Sequence, residues 1–295
     1  MPELPEVETI RRSLTPLLLG KRVEGLEVYS PDVLIEYGKV TVLTGIVFAL
    51  RRRGKYLMID LREDKSRPKH LSTIMVHFRM TGKLLYKDHF EEAAKHTHVR
   101  FHLSDPLQEM SFLDFNDLRR FGKVWLLPPG EEKLDPGFAR LGPEPLSDEW
   151  TAADFLAQIK RRPRSTIKSL LLNQEVVAGI GNIYCDEALF RAGIHPARRN
   201  QTLSEEEVLN LQQAVREVIA DGIGHQGTSF SDYVDGLGNK GHFQLQLRVF
   251  QQEGKKCSVC GSEIEKIRVG GRGTHFCPHC QQLGVTFLEA TKELS

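Results

Sequence analysis

Apolar positions near the start of the chain recur with a helical step. Val7, Ile10, Leu14 and Leu17 follow the spacing of one buried helix face, which predicts a helix over 5–19 with Gly20 as its stop. Pro5 suits the first turn, where a missing N–H costs nothing, and Pro16 is expected to kink or end the helix. The period then changes to two. The runs KYLMIDL (55–61), STIMVHF (72–78), HVRFHL (98–103), MSFLDF (110–115) and KVWLL (123–127) read as a mostly antiparallel sheet or sandwich behind that helix. Prolines crowd PPGEEKLDPGFARLGPEP (128–145), a linker and domain boundary. Beyond it the helical period returns. Ser204 and Glu207 have capping-box spacing, and Val208, Leu211, Val215, Val218 and Ile219 make one apolar face ending at Gly222. STIKSLLLNQEVVAGIGNIYCDEALFRAG predicts two helices about a turn at Gly179–Asn182, the second closed by Gly193. Asn182 opens that second helix, either as a plain N-cap or where free N–H groups attract a phosphate. Glycines at 222, 224, 227, 236, 238 and 241 make the next segment a loop, either linker or ligand lid.

A length of 295 residues allows about two domains of ordinary size. No apolar run approaches the ~18 residues that span a bilayer, nor does the start resemble a signal peptide, so the expected setting is soluble and intracellular. Net charge is only +1. Its distribution says more. Residues 151–199 carry eight basic side chains (Lys160, Arg161, Arg162, Arg164, Lys168, Arg191, Arg198, Arg199) against four acids (Asp154, Glu175, Asp186, Glu187). This excess is either a phosphate-facing patch or a solvated face. Cys257, Cys260, Cys277 and Cys280 form C-x2-C-x16-C-x2-C, the spacing of a structural zinc site, with His275 and His279 as substitute ligands. Cys185 is left over as a small buried residue.

The chemistry concentrates at MPELPEVETI. Removal of Met1 leaves Pro2 with a free secondary amine. An α-amine titrates near 8, so roughly a tenth is free base at neutral pH, against below ~0.1% for lysine. The positive end of the first helix lowers it further and stabilises ionised Glu3. Attack of that amine on a sugar carbon gives an iminium, the electron sink that eliminating a neighbouring phosphate requires. Glu3 and Glu6 are placed to shuttle protons. The alternative is that these are simply good helix-starting residues.

PELPEVET, the helix pair with GIGNIY, LGPEPLS at the linker's end, and the finger with GRGTHFCPHC together resemble the formamidopyrimidine/endonuclease VIII family, and within it the bacterial formamidopyrimidine-DNA glycosylases. The resemblance runs from residue 2 to about 282. It implies an α+β multidomain protein: an N-terminal catalytic β-sandwich with flanking helices (1–136), a linker (137–150), and a helical helix–two-turn–helix domain (151–250) with a lid loop over the flipped base (222–241). A zinc finger hairpin (251–282) and a tail of unassigned role (283–295) follow. By resemblance, Pro2 is the Schiff-base nucleophile, Glu3 the general acid/base with Glu6 in support, and Lys55 a phosphate contact beside the lesion. Met80, Arg119 and Phe121 look like the side chains inserted where the damaged base leaves the stack. His77, Asn182 and Arg272 look like phosphate contacts, and one structural zinc ion would stiffen the hairpin bearing Arg272. Two departures stand out. Many relatives read H-x-G-M and D-P-R-R-F-G where this chain has Arg79 and Leu118.

The implied activity is excision of oxidised purines (8-oxoguanine, formamidopyrimidines) from double-stranded DNA by a cytoplasmic monomer, then strand cleavage by β- and δ-elimination. Endonuclease VIII, which prefers oxidised pyrimidines, is the nearest rival. ELPEVET and the Arg-x-Phe wedge favour the purine enzyme. A non-catalytic DNA-binding protein is the rival from another class, with no need for a processed Pro2–Glu3 start.

Overall fold

The computed structural model describes residues 2–37, 44–63, 69–230 and 233–283. Tail residues 284–295 and loop residues 231 and 232 lie outside the described residues. Two compact units form: Met1–Arg140 with His225–Gln244, and Leu141–Gly224 with the described residues from Leu245 on. Residues 225–244, within the span expected to be helical domain, thus group with the N-terminal unit.

The first unit opens with helix α1 (Leu4–Leu18), followed by strands β1 (Arg22–Val28), β2 (Leu34–Glu36), β3 (Gly45–Arg53), β4 (Tyr56–Arg62), β5 (His70–His77), β6 (Gly82–Lys87), β7 (Thr97–Ser104), β8 (Met110–Asp117) and β9 (Lys123–Leu127), then a short helix α2 (Pro136–Ala139). The strands hydrogen-bond in the order β2-β9-β5-β4-β3-β1-β7-β8-β6. The β1–β3 junction holds only the pairs Arg22–Ile46 and Val23–Gly45. Both sides of that narrow seam feed one core, with Leu57, Ile59, Ile74, Val76 and Val124 from one and Val99, Phe101, Leu113 and Phe115 from the other. A sandwich is the economical solution for a sheet whose two halves each carry an apolar face. Val7, Ile10, Leu14 and Leu18 of α1 bury their stripe in the same core. Pro16 lies inside α1, which runs on two residues further to Leu18, and Gly20 at φ +85° turns the chain.

The expected strands appear within two residues of their predicted limits, but β1, β2, β3 and β6 escape the alternation rule. β3 ends in three arginines and β1 carries Glu24 and Gly25, so neither shows a clean period of two. The second unit holds α3 (Ala152–Arg161), α4 (Ile167–Leu171), α5 (Asn182–Arg191), α6 (Glu205–Gly224) and the hairpin β10 (Glu265–Val269) with β11 (Arg272–Phe276). Ser204 and Glu207 cap α6 reciprocally at 2.9 and 3.1 Å. No helix among the described residues is long and apolar enough to cross a membrane.

Candidate active site and nucleic-acid interface

Strand register brings several candidate residues to one end of the first unit. Arg53 pairs with Tyr56, so Lys55 sits in the two-residue turn joining β3 to β4, with Gly54 at φ +54° in the first turn position. Tyr56 pairs with His77 at the end of β5, His77 with Lys123 at the start of β9, and Gly82 with Asp117 across β6 and β8. Met80 lies on the β5–β6 turn; Arg119 and Phe121 lie on the β8–β9 turn. α1 runs antiparallel to β3. Lys21 at its C-terminal end accepts the Val47 N–H at 2.8 Å, whereas Glu8 meets Arg52 at 3.3 Å. Pro2, Glu3 and Glu6 therefore arrive at the Lys55 end.

The helix start is built by its own acids. The Glu6 N–H donates to the Glu3 carboxylate, and the Glu3 N–H donates to Glu6 Oε2 at 2.8 Å. This is a capping box with glutamate in the usual serine or threonine place. Glu6 Oε1 also accepts the Thr228 N–H at 2.7 Å, and the Tyr233 hydroxyl donates to the Glu6 carbonyl at 3.3 Å. Gly227, at φ +77°, passes so near that a Cβ would lie 2.8 Å from Glu6 Oε1. Both Glu6 oxygens thus hold backbone in place. The roles of Thr228 and Tyr233 left no local sequence signal, since their partner is more than 200 residues away.

His77 is a buried, neutral imidazole. Burial first, then the charges of Arg79 and Lys55, lower its pKa to about 3. The Arg79 N–H donates to its Nδ1 at 3.1 Å, so in the neutral ring Nε2 carries the proton and can donate. Arg79, one of the two departures noted from the family pattern, takes φ +53°, a region that favours glycine. Arg79→Gly is expected to raise the His77 titration point above about 3, though not to the free-imidazole range, because burial is the larger cause. The unfolded ring protonates near 6.5, so folding loses stability as pH falls from there toward 3, and the variant should narrow that window. Proton NMR titration of His77 and pH-dependent unfolding check both.

The two turns carrying Met80, Arg119 and Phe121 are tied together by buried Asp117. Its carboxylate accepts the Thr81 hydroxyl, the Arg119 N–H at 3.1 Å and the Gly122 N–H at 2.7 Å; Thr81 Oγ1 accepts the Arg119 N–H at 3.2 Å. This Asx turn shapes the loop, and Leu118 within it is exposed. Met80 and Phe121 are 40% and 52% exposed, which excludes a core role, and the Arg119 guanidinium lies 4.7 Å from the Phe121 ring centroid. An Asp followed within five residues by Gly was the readable trace of this loop.

In the second unit Asn182 begins α5 and donates through Nδ2 to the Gly273 carbonyl at 2.9 Å, beside exposed Arg272. Gly270 and Gly271, at φ +57° and +77°, form the hairpin turn before Arg272. A fully buried pair, Lys168 Nζ to Asp186 Oδ1 at 2.5 Å, fastens the hairpin to the helices: Asp186 also accepts the His275 N–H at 2.9 Å. The His275 ring nitrogens lie 3.4 Å from Asp186 and 3.1 Å from Glu253, and His275 is not in the cysteine cluster.

The ligand atoms of Cys257, Cys260, Cys277 and Cys280 lie within 4.8 Å of one another, with Sγ pairs at 3.9 and 3.4 Å. A tetrahedron with Zn–S near 2.3 Å needs sulfurs about 3.8 Å apart. The backbone N–H groups of Val259 and Cys280 donate to Cys257 and Cys277 Sγ, both at 3.4 Å, as thiolates favour. The set fits one structural zinc ion. Cys257 and Cys277 pack with Val249, Ile264 and Phe190 in a small core of their own. Cys185 is buried and in no disulfide, as expected of a small packing residue, and its thiol donates to the Lys168 carbonyl at 3.9 Å.

Three family models match this chain: the formamidopyrimidine-DNA glycosylase N-terminal domain over residues 1–124, that enzyme's H2TH domain over 141–234, and the zinc finger found in FPG and IleRS over 254–283. The chain is 43% identical over 287 residues to the formamidopyrimidine-DNA glycosylase of Pelotomaculum thermopropionicum, covering 96% of this chain and 100% of that one. Among solved structures it is similar to Lactococcus lactis Fpg in complex with DNA containing an abasic site, with a TM-score of 0.82, 34% identity, and 95% and 99% of the two chains covered. The wild-type L. lactis protein bound to DNA containing an oxidized pyrimidine gives a TM-score of 0.83 at 34% identity, with 95% and 100% covered.

Proposed function

The chain belongs to the family of formamidopyrimidine-DNA glycosylases, and from that premise we propose how its own residues carry the reaction. It is a base-excision-repair glycosylase with AP-lyase activity that acts on oxidised lesions in double-stranded DNA and holds one structural zinc ion. The nucleophile is the Pro2 amine and the proton carrier is Glu3. Pro2 nitrogen attacks C1′ of the damaged nucleotide, the bond from C1′ to the base breaks, and the base leaves with the proton that the amine gives up. Glu3 protonates the sugar ring oxygen as the ring opens, leaving an iminium. Loss of a C2′ proton then expels the 3′ phosphate, and a second elimination expels the 5′ phosphate.

The observation that carries this assignment is the convergence at one end of the first unit. The capping box holds Glu3 next to Pro2, and the same end bears Lys55 and His77 for phosphate and the exposed Met80, Arg119 and Phe121 to fill the vacated stack. Glu6, with both oxygens on backbone N–H groups, positions the start and does not move protons. Arg119 pairs with the orphaned cytosine, which favours 8-oxoguanine and formamidopyrimidines. Asn182 and Arg272 add phosphate contacts from the second unit. The protein works as a monomer in the cytoplasm, on the nucleoid through its DNA.

Borohydride reduction on a duplex carrying 8-oxoguanine opposite cytosine should trap a covalent adduct on Pro2, faster than on an oxidised-pyrimidine duplex. An adduct on a lysine, or faster trapping on the pyrimidine, would overturn the nucleophile or the purine preference respectively.

A further inference from the structure

We infer that Arg161, Arg164 and Arg199 form a second phosphate-contact patch on the second unit, one that takes duplex DNA flanking the lesion. The inference rests on the reading above that Asn182 and Arg272 meet DNA, and it concerns the basic excess of residues 151–199 that this reading leaves unused.

The structure sorts those eight cations. Lys160 meets Glu205 at 3.2 Å, Lys168 meets Asp186 at 2.5 Å, Arg191 meets Asp221 at 2.8 Å, and Arg198 is paired with Glu207. Arg162 donates to the Gln158 side chain at 2.5 Å. Arg161, Arg164 and Arg199 are exposed and have no carboxylate partner among the described residues. A merely solvated face would be expected to intersperse acids, as the rest of this segment does.

Hydrogen bonds draw together the segments that carry Arg164 and Arg199, and Arg161 immediately precedes the first of them. Residues 162–166 and 198–201 are zipped together: Ile167 N–H donates to Arg198 O at 2.9 Å, Asn200 N–H to Ser165 O at 2.9 Å and Gln201 N–H to Pro163 O at 3.1 Å. The Asn200 amide donates to Arg162 O at 2.7 Å, Thr166 bridges Arg199, and the Arg199 guanidinium donates to the Arg164 carbonyl. Like charges held this close repel one another in the free protein, and an anionic backbone relieves that cost.

The patch also continues the surface that carries Arg272. Thr166 caps α4 by accepting the Ser169 N–H at 3.3 Å, and Ser169 abuts the hairpin turn so closely that a Cβ on Gly270 would lie 2.6 Å from its Oγ. Arg272 follows that turn directly. A run of contacts thus leads from Asn182 and Arg272 past Gly270 and Ser169 to Thr166 and the segment bearing Arg164, with Arg199 bridged to Thr166.

The test is equilibrium binding of the full, zinc-loaded protein to a duplex with a stable abasic analogue, across roughly 50 to 200 mM salt. With all three arginines changed to Gln, the slope of log K against log salt should shrink by about 2 to 3, near one per lost contact. The weakening should vanish on a duplex trimmed to the base pairs around the lesion. The thermal midpoint reports folding, since all three side chains are exposed. Arg272→Ala runs in parallel. If it weakens binding while the triple variant keeps the parental slope, the patch is a solvated face and the inference falls alone. An equal loss on the trimmed duplex also overturns it. If neither variant moves binding, the DNA-contacting reading of this unit fails and takes the inference with it.

Discussion

Glu3→Gln is expected to slow base excision by about 10²- to 10⁴-fold, the usual worth of a positioned proton carrier, while leaving the fold and lesion binding in place. The structure is what separates these outcomes. Glu3 caps α1 by accepting the Glu6 N–H, and a glutamine carbonyl can accept the same bond. The substitution therefore removes the titrating group and keeps the cap. Glu6→Gln should behave differently. Its two oxygens accept the Glu3 and Thr228 N–H groups, and an amide would turn an NH2 toward one of them. Leaving such a buried donor unsatisfied costs about 1–3 kcal/mol, so this variant should lose stability as well as activity. Single-turnover excision of 8-oxoguanine, read beside thermal unfolding, distinguishes the two. Undiminished excision by Glu3→Gln would remove that residue from the chemistry.

Chelating the zinc is expected to abolish tight DNA binding while the first unit's sheet survives. The sandwich core holds α1 and strands β1 and β3–β9, whereas the cysteines pack in a separate small cluster. Four thiols that gather around one ion have little else to hold them. Structural zinc contributes about 10–16 kcal/mol to folding such sites, far more than four small side chains in contact. Without it the β10–β11 hairpin loses the frame that holds Arg272 beside Asn182. A charged hydrogen bond to phosphate is worth about 1.5–3 kcal/mol, so losing Arg272 alone should weaken binding roughly ten- to a hundredfold. Titrating chelator against fluorescence-detected DNA binding, with circular dichroism of the sheet alongside, checks the order of loss. Collapse of the sheet together with binding would count against the separation.

Local patterns carried the parts of this protein that need only near neighbours along the chain. The apolar step of α1, the Ser204–Glu207 cap, five of the nine strands described in the large sheet and the C-x2-C pairs were all readable, because a helix face, a cap, an alternating strand and a chelating turn are each decided within a few residues. The start PELPE belongs here too: Glu3 and Glu6 are one helical turn apart, and their reciprocal cap is a local event. What remained open was whatever depended on a distant partner. Strands β1, β2, β3 and β6 are held by ladder neighbours and not by their own pattern. Exposure, which no spacing reveals, took Met80 and Phe121 out of the core.

Titration and the sorting of charges were likewise tertiary decisions. His77 is neutral because folding buries it beside Arg79 and Lys55, and Lys168 left the basic surface for a buried pair with Asp186. The Thr228 N–H reaches Glu6 across more than 200 residues of chain, and Asp117 ties together turns that a reader of the sequence sees as separate. The sequence by itself determined which chemistry the chain carries, since reactive groups are residue types at set spacings. Only the tertiary structure decided which of those groups face one another, because long-range hydrogen bonds and burial depend on how strands pair, and pairing is not written in any one strand.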